Sequence, residues 1–276
     1  MNKFIFAHYV IKQDSSSDLV ELCILSKPIS EFTNDDIGTE VYIPYTDSSG
    51  IISGPIVFEV VGVNHHTSEE HQQTITLMTK DVIRQAAFDA KEPNNPDSSR
   101  ASYGNNRWSV SNIRQWLNSS GAANEWFTPQ HEYDEAPTAD KVDEFEAGAY
   151  ADEPGFLAGF SADILQHFTE ISNITTLCNF DGFLSETTVD KVFLPSCTEL
   201  FGYHINGIQE GNRLSEKFVD DESRIKKFNG MNSSYWMRSP WTSLAYLAKC
   251  VNDRGSDNTT YACTNTIGCA PLVVLI

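Results

Sequence analysis

The chain has 276 residues, 40% hydrophobic and 11% aromatic, enough to bury a sizeable core in one elaborate domain or two small ones. Its 38 acids against 19 lysines and arginines give a formal charge of -19, a field that repels phosphate backbones and anionic lipid and sets nucleic acid and membrane partners aside. Cysteines at 23, 178, 197, 250, 263 and 269 show no C-x-x-C spacing, so they read as buried thiols, with a Cys263–Cys269 disulfide as the lesser reading.

The first apolar run, Phe4 to Ile11, is short, contains His8, follows a single lysine and lacks a small-residue cleavage site, so it reads as a strand and not a signal peptide. Strand signals rich in β-branched and aromatic residues follow at Leu19–Ser26, Thr39–Tyr45, Pro55–Val63 and Gln73–Thr79, making residues 1–90 a β-rich N-terminal part. Lys91–Asn106 is a cluster of turn formers and predicts an exposed loop. A helix comes next, with Ser109 as its N-cap, Trp108 and Ile113 at the staple positions, and Ile113, Trp116 and Leu117 at helical spacing. Glu132–Glu153 carries nine acids and one lysine, the composition of a solvated insertion. A second helix is predicted after Ser161, with Ile164, Leu165 and Phe168 as its stripe.

Further on, a short strand ends at Pro195, and a capping box of Ser196 with Glu199 opens a helical turn that Gly202 can stop. Ser243–Asp253 alternates as a strand, Asp253–Ser256 is a turn, and Asn258–Thr264 is the returning strand. The terminal run Ala270–Ile276 is continuous and β-branched, as a buried closing strand would be, next to an N-terminal strand. No segment reaches the roughly 20 apolar residues of a membrane span. The pattern is a mixed α+β chain.

Three constellations test for chemistry. His65, His66 and His71 lie near Glu69 and Glu70, residue types that bind metal, but in a turn between strands, where adjacent side chains point to opposite faces. The Glu92-Pro93-Asn94 triplet matches one calcium-lectin element and Val251–Asp253 echoes the other, yet about 160 residues intervene where that family keeps the two close. No G-x-S-x-G, H-E-x-x-H, P-loop or G-x-G-x-x-G occurs. The expectation is no catalytic residue, no metal and no cofactor.

An ordered set of segments carries a resemblance: Tyr103–Ser119 (YGNNRWSVSNIRQWLNS), Pro154–Phe160 (PGFLAGF), Thr187–Gly202 (TTVDKVFLPSCTELFG), Tyr235–Pro240 (YWMRSP) and Gly268–Ile276 (GCAPLVVLI). Together they resemble a domain family of gut bacteria and their phages that reads Trp-Leu-Asn, Asp-Lys-Val-Phe-Leu, Trp-x-Arg-Ser-Pro and, near the end, Val-Arg-Pro-Ala. The likeness covers residues 100–276 well and the first hundred loosely. Ala270 stands where many relatives carry an arginine before the proline. More distantly, the family is similar to C-type-lectin-fold proteins, which include formylglycine-generating enzymes and the variable proteins of diversity-generating retroelements. Those variable proteins carry their ligand-contacting residues near the C-terminus on a rigid scaffold.

The resemblance therefore implies a C-type-lectin-like, formylglycine-generating-enzyme-like domain at 91–276, with residues 1–90 packed on it or continuous with it. Its implied role is binding of a protein or glycan ligand on a cell surface, by a virion or cell-surface protein. Tyr235 and Trp236 read as core, with Arg238 paired to an acid beneath the surface. After Pro240 the residues resemble a paratope vocabulary, rigid aromatics beside adaptable hydrogen-bonding groups. The expected ligand-binding set is Trp241, Ser243, Tyr246, Asn252, Asp253, Ser256, Asp257, Asn258, Tyr261 and Thr264. A rival enzyme on the same scaffold would show a redox pair of cysteines in one cleft, and a purely structural virion or surface component would show no recessed or aromatic face.

Overall fold

A computed structural model describes residues 27–276, apart from 47, 49, 51, 53, 68, 69 and 144–147, together with the backbone of strands at 4–5, 8–12 and 19–23. Val41 and Ile43 turn inward while Glu40 and Tyr42 stay half-exposed, and this period of two makes β4 (Glu40–Ile43) a strand with one face in the core. It joins a six-stranded sheet in the order β1 (Phe4–Ile5), β4, β5 (Ile56–Val63), β6 (Ile75–Thr79), β17 (Leu272–Leu275), β10 (Val192–Phe193). All neighbours pair antiparallel except β1 and β4. The continuous apolar run at the terminus thus becomes an interior strand, buried along its length, with Leu272 opposite Met78 and Leu275 opposite Ile75. Strands from both sides of residue 90 share this sheet.

A second sheet has the order β15 (Asp257–Tyr261), β14 (Leu247–Val251), β13 (Tyr235–Pro240), β16 (Gly268–Cys269), β7 (Arg84–Gln85). Among the described residues three hairpins complete the strands: β2 (His8–Lys12) with β3 (Leu19–Cys23), β8 (Ile171–Thr176) with β9 (Ser185–Asp190), and β11 (Lys226–Phe228) with β12 (Met231–Ser233). The helices α1 (Ser98–Tyr103), α2 (Asn112–Leu117), α3 (Ala162–Leu165), α4 (Cys197–Phe201) and α5 (Asp221–Arg224) have at most six residues. Elements this short gain little from helix propensity and stand on tertiary packing. Trp108, Trp116, Trp236, Phe88, Tyr150 and Phe156 belong to one apolar cluster that includes residues of both sheets. The class is mixed α+β. Among the described residues no helix is long and apolar enough to cross a membrane.

Several expectations need correction. Ser111, not Ser109, caps α2, its hydroxyl accepting from Arg114 N; Trp108–Val110 forms a 3-10 turn first, and Ser109 Oγ donates to Glu186 instead. The loop at 91–106 contains α1, because Asp97 accepts from Ser99 N and Arg100 N and so nucleates a turn. Residues 243–246 are turn and not strand, and the returning strand ends at Tyr261. The run at 132–153 is more than a solvated insertion: Asp134, Val142 and Tyr150 are buried and Glu153 pairs with Arg84, while Glu132 and Asp140 face solvent. The capping box at Ser196 and Glu199 and the left-handed stop at Gly202 are where expected. Ser161 stands at the α3 N-cap position without a side-chain bond, and Leu165 is only half-buried beside Ile164 and Phe168. The strand expected at Leu19–Ser26 is described as far as Cys23, and its remainder lies outside the described residues.

Candidate ligand-binding face

The site begins with what anchors it. Every residue of β13 is buried; Trp236 Nε1 donates to Ala86 O at 2.7 Å and the Tyr235 hydroxyl to Arg224 O at 2.9 Å. Arg238 grips Glu199 with both arms of its guanidinium, at 2.7 and 2.9 Å, and also donates to Leu194 O and Glu210 O. Glu199 in turn accepts from Ser196 N at 2.8 Å and lies 3.1 Å from His66 Nε2. Burial alone would raise this carboxyl, but the charge of Arg238 and the bonds from His66 and Arg238 hold it well below the usual carboxylate range. Glu210, which accepts from Thr176 N and from the Ser239 hydroxyl, is raised by burial despite Arg238. Arg-Ser-Pro is therefore an interior tie.

His65 and His66 do not point to opposite faces. Their Nδ1 atoms lie 3.1 Å apart, because the turn brings both rings to one side; His66 meets Thr76 and Glu199, and burial followed by its neighbour pushes His65 down to about 4. Both serve the fold. Glu92 of the lectin-like triplet is buried and pairs with His131 at 3.2 Å, and Asn252 of the second element folds its side chain onto Arg254 N and Ser256 N. Cys263 and Cys269 are free thiols. Burial pushes Cys178 up to about 11 and Cys197, Cys250 and Cys263 up to about 12, so these are neutral thiols at pH 7 and not the thiolates a nucleophile requires.

From β13 the chain enters a loop, 241–246, that with the first residue of β14 wraps one side chain. Buried Asn106 donates through its amide to Trp241 O, Leu244 O and Leu247 O at 3.1, 3.0 and 2.8 Å, and its backbone N–H donates to Ala245 O at 3.0 Å. Asn105 N is held by Asp89, whose carboxyl is raised well above its usual range by burial and by Glu92 and Asp134. The loop is thereby fixed to the core through the YGNN segment, and Trp241 is left 40% exposed.

Strand alternation then sorts the expected residues. On the edge strand β15 and its neighbour β14, Tyr261, Thr259 and Asp257 share a face with Leu247, Lys249 and Val251, and Asn258 lies on the opposite face with Cys250. Asp257 binds Lys249 Nζ at 2.5 Å and accepts from the Tyr203 hydroxyl at 2.7 Å. The Lys249 ammonium sits over the rings of Trp241 and Tyr203, 5.1 and 5.5 Å from their centroids. Beyond it, Tyr261 stacks on Tyr103 at 4.2 Å, and Tyr246 approaches both, at 5.3 and 6.0 Å. One surface therefore holds Trp241, Tyr246, Asp257 and Tyr261, with Ser243 exposed on the adjoining loop.

The others are apart from it. Asn252 and Ser256 shape the hairpin turn, Ser256 Oγ donating to Asp221, and Asp253 is exposed there. Gly255, at φ 82°, has no room for a Cβ, which would come within 1.8 Å of Asp221 O. Thr264 is half-buried and bonds Thr260 across a short turn. Sequence reasoning missed Tyr103, Tyr203, Lys249 and Asn106; only the YGNN turn signal pointed near two of them. A separate recess of about 370 Å³, between Tyr42, Lys80 and the Asn229–Gly230 turn, includes none of the expected residues.

The α+β fold and this aromatic face meet a comparison with known families at residues 72–275, which match a domain of unknown function, DUF6273. The chain belongs to that family. No curated protein and no solved structure matches it.

Proposed function

We propose that the chain is a ligand- or receptor-binding protein that presents a C-terminal recognition surface on a rigid, C-type-lectin-like scaffold. The observation carrying this reading is a contrast over one short stretch: Tyr235–Pro240 is wholly buried, and the expected residues that follow are all exposed or half-buried. Aromatic rings supply contact area there at low entropy cost, and the edge strand and loop let side chains change without disturbing the core. Such a surface suits a phage tail or cell-surface protein, and suits diversification by a retroelement.

The experiment is substitution of the aromatics one at a time. Purified chain is screened for attachment to gut bacterial cells and to glycan and protein arrays, and Trp241→Ala, Tyr246→Ala and Tyr261→Ala are compared on whatever binds. Melting should stay within a few degrees, since surface changes typically cost less than about 0.5 kcal/mol. At least one variant should lose about thirtyfold in affinity, as removal of a central aromatic anchor does. Variants that melt early and lose binding only in proportion to unfolded protein would place these rings in the core and end the proposal. A near-copy of the last hundred or so bases, differing at adenines and lying beside a reverse transcriptase gene, is the test of diversification.

A further inference from the structure

The hairpin β8–β9 carries a surface of a different kind. Of its positions between Ile171 and Asp190, none of the exposed ones is charged, and five are large and apolar: Ile174, Phe180, Phe183, Leu184 and Val189, from 43% to 69% exposed. Single exposed apolar residues are ordinary, but five on one hairpin make a patch on the order of 500 Å², at the upper end for a monomer. Phe183 holds φ 64°, a left-handed conformation unfavourable for a bulky side chain, so an aromatic ring is kept in solvent at a conformational cost.

The charges beneath the patch are cancelled. Asp181 meets Arg100 at 2.6 Å, Glu186 meets Arg107 at 2.8 Å and Asp190 meets Arg114 at 2.6 Å, each arginine coming from the segment that holds α1 and α2. On a molecule of charge -19 this hairpin is locally neutral.

We propose that the β8–β9 hairpin is the interface through which two copies of this chain associate. Two such acidic molecules repel one another over most of their surfaces, and approach is least opposed where local charge is balanced and apolar area can be buried. The patch also suits two-fold pairing. Its apolar side chains are spread along strands of six residues, about 20 Å, with three at the tip and two toward the base. An antiparallel arrangement lays the Phe180, Phe183 and Leu184 tip of one copy over Ile174 and Val189 of the other, and the reverse contact follows by symmetry. At the tip, Asn179 N donates to Thr242 O at 2.7 Å and holds the tip in place, and a patch short of the roughly 800 Å² per partner of a stable interface suits a dimer that dissociates on dilution.

Sedimentation velocity on the whole chain tests this, from about 1 to about 200 μM at about 0.15 M salt. The wild type should pass from monomer to dimer within that range. Phe180→Ser and Leu184→Ser should each weaken association at least about tenfold with unchanged melting. Phe183→Gly should also dissociate the dimer while melting at the same temperature or higher, because it relieves the backbone as it removes the ring. A wild type that is monomeric throughout overturns the proposal, as does a dimer that all three variants leave intact. Flotation of a monomeric wild type with phosphatidylcholine vesicles, lost in Phe180→Ser, would assign the hairpin to a bilayer surface and likewise overturn it. None of these variants alters Trp241, Tyr246 or Tyr261, so the ligand reading stands or falls separately.

Discussion

At the scale of single residues, two buried polar groups hold what surrounds the face. Arg238 was legible as an arginine needing an acid, but not which of 38 acids would serve. Glu199, 39 positions away, is chosen because its capping-box geometry already places it inside, with both carboxylate oxygens within reach of the guanidinium. Removing one partner of a buried pair leaves an uncompensated charge, so Arg238→Met and Glu199→Gln should each cost about 3–5 kcal/mol at pH 7 by denaturant unfolding. The pH dependence has a definite sign. The folded pKa of Glu199 lies below its unfolded value near 4.5, so its contribution is complete above that value and is lost as pH falls. The gap between wild type and Glu199→Gln should therefore be constant near neutrality and shrink below pH 4.5; a gap that grows in acid would mean the carboxyl is protonated in the fold.

Asn106 is the second such residue, and nothing in YGNN announces that its amide would hold a loop some 140 positions on. Asn106→Ala removes three side-chain hydrogen bonds, leaving Trp241 O, Leu244 O and Leu247 O with only the backbone donors of the loop itself, and should cost about 1–3 kcal/mol. Hydrogen exchange should accelerate at the amides of 241–247 before it does in β13. Equal acceleration throughout would show that the asparagine supports the whole sheet and not the loop.

At the scale of elements, strands were easier to read than the connections between them. The terminal run was recognisable because a strand buried on both faces is continuously apolar, and β17 lies between β6 and β10. A chain ending at Cys269 loses several buried aliphatic side chains at about 1.5–3 kcal/mol each, more than the margin of a typical domain, and should show no cooperative melt. Melting near the full-length temperature would contradict the pairing. Trp116, buried on α2 against Tyr150 and Phe156, should likewise unfold the protein as Trp116→Ala, at about 3–5 kcal/mol. By contrast, 243–246 alternates like a strand and is a turn, because Asn106 takes the carbonyls that a strand would have offered to a neighbour.

At the scale of the whole molecule, the excess of acids sets the behaviour in solution. Many of the cations are already engaged in ion pairs, so the surplus negative charge is left to repel itself. Raising salt from about 0.05 to about 0.5 M should raise the melting temperature by screening that repulsion; a fall would mean that the internal pairs dominate. Chelator should leave melting unchanged, since His66 and Glu92 are committed to protein partners, and a shift on adding back calcium or zinc would revive a metal-binding reading.

Composition, periodicity and caps are local properties, and by themselves they determined the α+β class, the charge, the closing strand, the α4 capping box and the core reading of Tyr235, Trp236 and Arg238. They also marked the segment after Pro240 as rich in exposed aromatic and polar side chains. The division within that segment was decided only by tertiary structure. Pairing of β14 with β15 puts Asp257 and Tyr261 on one face and Asn258 on the other, and the docking of the turn on α5 commits Asn252 and Ser256 to the fold. Tyr103 and Tyr203 joined the face from 158 and 54 residues away. Such contacts depend on which distant surfaces meet when the core closes, and no pattern within a strand or a turn records that.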